Sequence, residues 1–92
     1  MKSNLENKTV LVTGGAGGIG SYISKAFASE GANVIVHYHN SKENAEKLAD
    51  EINGTALNCD LTKSDEATSL FNRITETEGD IDICIANAGH YP

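Results

Sequence analysis

Thr13-Gly14-Gly15-Ala16-Gly17-Gly18-Ile19-Gly20 is the stretch that decides the fold of this chain. It follows an apolar run, Val10-Leu11-Val12, and opens into a segment of helical periodicity that extends to Glu30. A strand, a glycine-rich turn and a helix start favour binding of a pyrophosphate, because amides at a helix N-terminus and the helix dipole both attract an anion. Glycines leave room for phosphates and for close helix–strand packing. The residues predicted to form this dinucleotide-binding turn are Gly14, Gly15, Gly17, Gly18, Ile19 and Gly20.

Strand and helix patterns alternate along the rest of the chain. Strands are predicted over residues 8–13, 34–36, 55–59 and 81–86, and helices over residues 19–30, 41–53 and 64–78. This alternation predicts an α/β fold with a parallel sheet and right-handed crossovers. The doubly wound order makes it a partial Rossmann sheet of four strands and three helices, ordered 3-2-1-4. We expect one domain over residues 1–92, with strand four as an exposed apolar edge.

Each helix is expected to bury one apolar face. The inner positions are Ile19, Ile23, Ala26 and Phe27 in the first helix, Ala45, Leu48, Ala49 and Ile52 in the second, and Ala67, Leu70, Phe71 and Ile74 in the third. Glycines 31, 54 and 79 are expected to end these helices. An Asn40–Glu43 capping box or Ser41 is expected to begin the second helix, and Thr62 with Asp65, or Ser64 alone, the third.

Composition and charge exclude several classes of protein. Hydrophobic residues make up 39% of the chain, as in ordinary globular proteins. The net charge is −6. Residues 40–92 carry four basic and eleven acidic side chains, which argues against nucleic-acid binding. No apolar run approaches a membrane span or a secretory signal, so we expect a cytoplasmic protein without membrane contact. Cys59 and Cys84 are expected to be buried free thiols.

The residues after the second predicted strand bear on the choice of cofactor. NAD-binding proteins usually place an acid there for the ribose 2′-hydroxyl, but His37-Tyr38-His39-Asn40-Ser41-Lys42 contains none. His39, Asn40, Ser41 and Lys42 instead offer donors for a 2′-phosphate, which favours NADP(H) over NAD(H). His37 and His39 share a strand face, but no third ligand is evident, so no metal site is predicted.

Three motifs carry a family resemblance. They are Thr13-Gly14-x-x-x-Gly18-Ile19-Gly20, Asp60-Leu61 after strand three, and Asn87-Ala88-Gly89 after strand four. In this order they resemble the short-chain dehydrogenase/reductase family, on the branch of the ketoacyl-carrier-protein reductases. The resemblance implies that Asp60 and Leu61 flank an adenine, although Asp60 could also act as a general base or a helix cap. It also implies that Asn87, Ala88 and Gly89 line the nicotinamide ribose. The chain departs from the family at Ala86, usually Asn, and at Gly17, where many NADP-preferring relatives carry Arg or Lys.

The catalytic residues of that family have no counterpart here. Its members use a Ser, a Tyr-x-x-x-Lys pair and a helix Asn, and the one match in spacing, Tyr38-x-x-x-Lys42, straddles a strand end and a loop. We therefore expect the N-terminal NAD(P)-binding portion of an oxidoreductase that moves hydride between a carbonyl or alcohol and a nicotinamide cofactor. Alone it is expected to be inactive, whereas full-length relatives are expected to be homo-oligomers. The alternatives are a stand-alone dinucleotide-binding or sensing module, a chain that folds only with a partner, and a non-functional remnant.

Overall fold

A computed structural model describes residues 4–87 of the chain. The elements are β1 (Thr9–Val12), α1 (Gly18–Ser29), β2 (Asn33–Tyr38), α2 (Lys42–Ile52), β3 (Thr55–Asn58), α3 (Ser64–Glu78) and β4 (Ile83–Ile85). Their bounds differ from those predicted from the sequence by no more than two residues. None of these helices is long and apolar enough to cross a lipid bilayer, within the range of residues described.

The four strands form one sheet in the order β3-β2-β1-β4, and every neighbouring pair is parallel. The predicted partial Rossmann architecture and its strand order are confirmed. Val12, the last residue of β1, pairs with Val36 on one side and with Ile85 on the other. The carboxyl ends of the two central strands therefore meet at one edge of the sheet, where the glycine-rich turn begins.

The sheet is covered on both faces, which explains its continuous apolar strands. Because side chains alternate along a strand, Val10 and Val12 face α1 and α2, whereas Leu11 faces α3. The core around Val10 and Val12 also contains Val34, Val36, Tyr38, Ala45 and Leu48. The core around Leu11 contains Ile35, Cys59, Leu70 and Ile74.

Helix α1 approaches the sheet through its smallest residues, which corrects part of its predicted inner face. Gly20 and Ser24 are its buried residues, whereas Ile19 is 73% exposed and Ala26 is also exposed. The hydroxyl of Ser24 donates to the carbonyl oxygen of Gly15 at 3.3 Å. The glycine turn lies directly under this line of small residues, so bulkier neighbours are displaced to the sides of the helix.

On the other two helices the predicted inner faces mostly hold. Ala45, Leu48 and Ala49 of α2 are buried. On α3, Leu70 and Ile74 are fully buried, but Phe71 is 41% exposed, so its inward assignment was wrong. One 100° step around the helix separates Phe71 from the Leu70–Ile74 line that meets the sheet.

The helix ends follow the sequence at two glycines and depart from it elsewhere. Gly31 and Gly79 follow α1 and α3 with positive φ angles of 88° and 85°. After α2 the left-handed residue is Asn53, not Gly54, and a Cβ at Gly54 would lie 2.5 Å from the Val34 carbonyl oxygen. The predicted side-chain caps of α2 and α3 are wrong, because their N-cap residues, Ser41 and Lys63, make no side-chain capping hydrogen bond.

The two cysteines are both free thiols, but only one is buried. Cys59 is 2% exposed in the core beneath α3. Cys84 is exposed, which corrects its predicted burial. It pairs with Leu11 in register and so shares the α3 face of the sheet, but it lies on β4, an edge strand.

Candidate dinucleotide-binding site

The glycine-rich turn is fixed by hydrogen bonds from its own amides to β2. Gly14 has a φ of 63°, a left-handed conformation that glycine adopts without strain. Its N–H donates to Nδ1 of His37 at 3.0 Å, and the N–H of Gly15 donates to the backbone carbonyl of the same residue at 3.0 Å. The N–H of Gly17 donates to the Gly14 carbonyl at 3.2 Å. Three amides of the turn are therefore already satisfied within the protein.

The amides at the start of α1 are the ones that remain available. Gly18, Ile19 and Gly20 are the first three residues of the helix, and their N–H groups donate to no acceptor in the described part of the chain. The N-cap residue, Gly17, has no side chain to satisfy them. The side chain of Ile19 points away from the core, and a Cβ built on Gly18 meets nothing within 4 Å. This helix start can accept an anion without rearrangement.

Two other glycines of the motif serve internal packing. A Cβ at Gly20 would collide with the Gly14 carbonyl oxygen and lie 2.7 Å from Nδ2 of Asn87. A Cβ at Gly15 would lie 2.9 Å from the Val12 carbonyl oxygen. At Gly17 a Cβ would make only an ordinary contact, 3.7 Å from the same Gly14 oxygen. The motif thus contains glycines of two kinds, those that let the helix meet the turn and those that leave open space.

Asn87 ties the end of β4 to the turn. Its Nδ2 donates to the Gly14 carbonyl at 3.2 Å, and its backbone N–H donates to Oγ1 of Thr13 at 2.9 Å. The Thr13 hydroxyl in turn donates to the Ile85 carbonyl at 3.2 Å. The described contacts of Asn87 are therefore with the protein backbone and Thr13. Ala88 and Gly89, expected with it at the ribose, lie outside the described residues.

His37 contacts the glycine-rich turn, whereas the sequence suggested it only as a possible metal ligand. It is 2% exposed, and its ring bridges the Gly14 N–H at Nδ1 and the Cys59 carbonyl at Nε2, the latter at 2.8 Å. Burial lowers the pKa of this histidine below its usual 6.5. The available signal was its position inside the apolar run Val34–Tyr38, because a polar side chain in a doubly covered strand must find partners.

The residues expected at the 2′-position lie after β2, on the same side of the sheet. His39, Asn40 and Ser41 are all exposed, and residues 40–44 line an open depression. Nε2 of His39 lies 3.8 Å from a carboxylate oxygen of Asp60. The His39 carbonyl accepts a 2.8 Å hydrogen bond from Asn58 at the end of β3. The structure therefore brings the ends of β2 and β3 together.

Asp60 is held as an ionised carboxylate. Its Oδ1 accepts hydrogen bonds from the Thr62 hydroxyl at 2.6 Å and from the Thr62 N–H at 3.0 Å. These bonds, the hydroxyl first, lower the pKa of Asp60, which disfavours a role as general base near neutral pH. Asp60 is not the N-cap residue of α3, because Lys63 occupies that position. Leu61 packs against the core beneath the same helix.

The Tyr38-x-x-x-Lys42 spacing joins two different elements of the structure. Tyr38 is buried in β2 and Lys42 is the first residue of α2, so the pair does not share a helical face. No cluster of three His, Cys, Asp or Glu side chains suited to a metal occurs among residues 4–87.

A parallel sheet ordered 3-2-1-4, with a glycine-rich turn leading to an uncapped helix, is a partial Rossmann fold. Comparison with known proteins then identifies the family. Residues 8–92 match the family model described as short chain dehydrogenase, and the chain belongs to this family. The resemblance stated from the three motifs is confirmed.

The individual relatives agree with that assignment. The chain is 41% identical over 90 residues to a short-chain dehydrogenase/reductase of Pestalotiopsis microspora, covering 92% of this chain and 34% of the relative. It is 36% identical over 88 residues to the 3-oxoacyl-acyl-carrier-protein reductase FabG of Staphylococcus epidermidis, covering 90% and 36%. A crystal structure of a short-chain dehydrogenase from Burkholderia cenocepacia in complex with NADP superposes with a TM-score of 0.90 at 33% identity, covering 98% and 39%. The chain thus spans about a third of the length of these relatives and corresponds to the N-terminal part of the family's domain.

Proposed function

We propose that this chain binds the adenosine diphosphate half of NADP(H), as the cofactor-binding part of an oxidoreductase that transfers hydride between a carbonyl and an alcohol. The cofactor would supply the hydride chemistry. The residues of this chain would bind and orient it, and none of them is proposed to be catalytic. In this proposal Gly18, Ile19 and Gly20 donate to the pyrophosphate, and Asp60 and Leu61 flank the adenine.

One observation carries the proposal. The amides of Gly14, Gly15 and Gly17 donate to acceptors within the protein, whereas those of Gly18, Ile19 and Gly20 donate to no acceptor in the described part of the chain. They lie at an uncapped helix start, with open space beside Gly18. Buried or partly buried N–H groups without a partner are costly unless water or a ligand satisfies them. A pyrophosphate would satisfy several of them together and would also interact favourably with the helix dipole.

The preference for NADP(H) rests on the residues at the end of β2. The exposed side chains of His39, Asn40 and Ser41 offer donors, and no carboxylate occurs between β2 and Lys42 to repel a 2′-phosphate or to bind a 2′-hydroxyl. The similar Burkholderia cenocepacia structure contains NADP, which supports the same choice. The ribose of the nicotinamide half would lie toward Asn87, Ala88 and Gly89.

Isothermal titration calorimetry of the chain with NADP⁺ and with NAD⁺ tests both parts of the proposal. We expect saturable one-to-one binding of each, with NADP⁺ bound more tightly. His39→Asp, which restores an acid at the end of β2, should shift the preference toward NAD⁺, whereas the matched neutral variant His39→Asn should not. If neither nucleotide binds, the proposed function is contradicted. Equal affinities would contradict only the NADP(H) assignment.

A second assay separates a cofactor-binding part from a complete enzyme. We expect the 92-residue chain to bind NADPH without oxidising it when a carbonyl substrate is added, because its one Tyr-x-x-x-Lys spacing, Tyr38 to Lys42, does not lie on one helix. Carbonyl-dependent loss of NADPH absorbance would contradict this expectation.

A further inference from the structure

His37 supplies two acceptors to consecutive amides of the glycine-rich turn. Its ring Nδ1 accepts from Gly14 at 3.0 Å and its backbone carbonyl accepts from Gly15 at 3.0 Å. The other ring nitrogen lies 2.8 Å from the Cys59 carbonyl oxygen at the end of β3. One buried side chain therefore connects the turn after β1 to the loop after β3, the two places where the proposed nucleotide would be held.

The partners of the ring define its protonation. A backbone N–H can only donate, so Nδ1 must present its lone pair to Gly14. A carbonyl oxygen can only accept, so Nε2 must carry the proton that faces Cys59. The ring is thus neutral with its hydrogen on Nε2. A second proton, on Nδ1, would place two donors against each other and break the bond to Gly14.

We propose, on the basis of the proposed function, that His37 is a positioning residue for the pyrophosphate site, and that its protonation weakens nucleotide binding. The effect passes through Gly14. The carbonyl of that glycine accepts from the N-cap residue Gly17 and lies against Gly20 in the first turn of α1. The ring holds the Thr13–Gly14 peptide, and the His37 carbonyl holds the Gly14–Gly15 peptide that carries this oxygen. The two peptides are joined at the Gly14 Cα, so the two bonds together fix the direction in which the first amides of the helix point.

Among the titratable and charged groups near His37, the His37 ring is the group whose protonation the proposal concerns. His39 follows β2 and also lowers the pKa of His37, after the larger effect of burial. The Cys59 thiol, whose pKa is raised chiefly by burial, stays neutral beside it. The carboxylates of Asp60 and Glu66 lie beyond the Cys59 peptide, where Asp60 is engaged with Thr62 and Glu66 accepts the Asp60 N–H. Arg73 of α3 has a smaller effect on the thiol and lowers its pKa.

The test measures binding of ADP-ribose by calorimetry from about pH 8 to about pH 5. This probe contains the pyrophosphate but neither a 2′-phosphate nor a group that titrates in that interval. We expect the dissociation constant to rise as pH falls, by up to about tenfold per pH unit between the pKa of His37 in the free protein and its lower pKa in the complex. No binding at pH 8 overturns the proposed function and this proposal with it. Binding that is independent of pH overturns this proposal alone.

Variants separate positioning from a general loss of structure. In His37→Asn the side-chain oxygen can accept from Gly14 but does not titrate, so binding at pH 8 should stay within about threefold of the wild type and its pH dependence should disappear. His37→Leu has no acceptor and should bind about tenfold more weakly at every pH. His39→Asn should retain the wild-type pH slope, and a slope that disappears in this variant assigns the effect to His39 instead.

A measurement on the wild-type protein makes the test independent of how the variants fold. The ring ¹⁵N chemical shifts of His37 at neutral pH should be those of the tautomer with hydrogen on Nε2. A ring with hydrogen on Nδ1 could not accept from Gly14, and this result would overturn the proposal.

Discussion

Exchange of two glycines in the first turn of α1 for alanine should have opposite effects on stability and the same effect on nucleotide binding. Gly18 has helical backbone angles and open space where a Cβ would be, whereas a Cβ at Gly20 would collide with the Gly14 carbonyl and approach Asn87. Both residues belong to the helix start that we propose to bind pyrophosphate.

The magnitudes follow from these surroundings. Gly18→Ala restricts the unfolded chain without a steric penalty and should raise the free energy of unfolding by about 0.4–1 kcal/mol. Gly20→Ala gains a similar amount from helix propensity. It then loses about 1–3 kcal/mol to overpacking and about 1 kcal/mol from the Asn87–Gly14 hydrogen bond, for a net loss of about 1–3 kcal/mol.

Urea denaturation followed by circular dichroism measures the stability difference, provided that the slopes of the transitions agree. Calorimetric titration with NADP⁺ measures binding. A methyl group at Gly18 would occupy space next to the phosphates, so the more stable variant should bind about tenfold or more weakly. If Gly18→Ala destabilises the fold, or if it gains stability and binds as tightly as the wild type, the reasoning about this helix start is wrong.

Further predictions concern pH, thiol reactivity and the core. Because the folded pKa of His37 lies below the unfolded value of 6.5, the unfolded state binds more protons below pH 6.5, and the free energy of unfolding should fall with falling pH by up to about 1.4 kcal/mol per unit; urea titrations of wild type and His37→Asn check this, and equal slopes would contradict it. A thiol-specific disulfide reagent should modify Cys84 rapidly in the native protein and Cys59 only after unfolding, since burial raises the pKa of the Cys59 thiol; rapid reaction of both thiols would refute the assigned burial. Leu70→Ala should cost about 2–5 kcal/mol of stability in urea denaturation and its exposed neighbour Phe71→Ala less than about 1.5 kcal/mol, and similar losses would mean that the register of α3 is wrong.

The strands and their order could be predicted because each strand has a recognisable local sequence pattern. Runs such as Val34-Ile35-Val36 are apolar on both faces, and a chain that alternates such runs with amphipathic helices has few allowed topologies. Cys84 shows the limit of that reasoning. Its residue type and strand position predict burial, but its exposure depends on which strand lies at the edge of the sheet, and that is a tertiary fact.

The inner face of α1 could not be predicted from hydrophobicity alone. Apolar periodicity points to Ile19 and Ala26, whereas the helix meets the turn through Gly20 and Ser24. This helix must come close to a backbone turn, and the closest approach requires the smallest side chains. The start of the periodic pattern therefore gives the position of the helix but not its rotation.

The site was predicted in part. The glycine motif located the turn, but the sequence did not distinguish glycines whose amides are consumed, such as Gly14, from Gly18, which faces open space. The sequence also did not predict the hydrogen bonds of the His37 ring. Both partners of the ring are backbone groups, and they come near it only when β1, β2 and β3 align. Side-chain patterns contain little information about such backbone partners.

Binding of a pyrophosphate by the first amides of α1 is the central claim, and amide chemical shifts test it most directly. In ¹H–¹⁵N spectra of the chain titrated with ADP-ribose, the resonances of Gly18, Ile19 and Gly20 should shift along one saturable curve. Gly79, at the far end of α3, should not move and serves as the internal control. Saturable shifts elsewhere, with the three helix-start amides unchanged, would contradict the account.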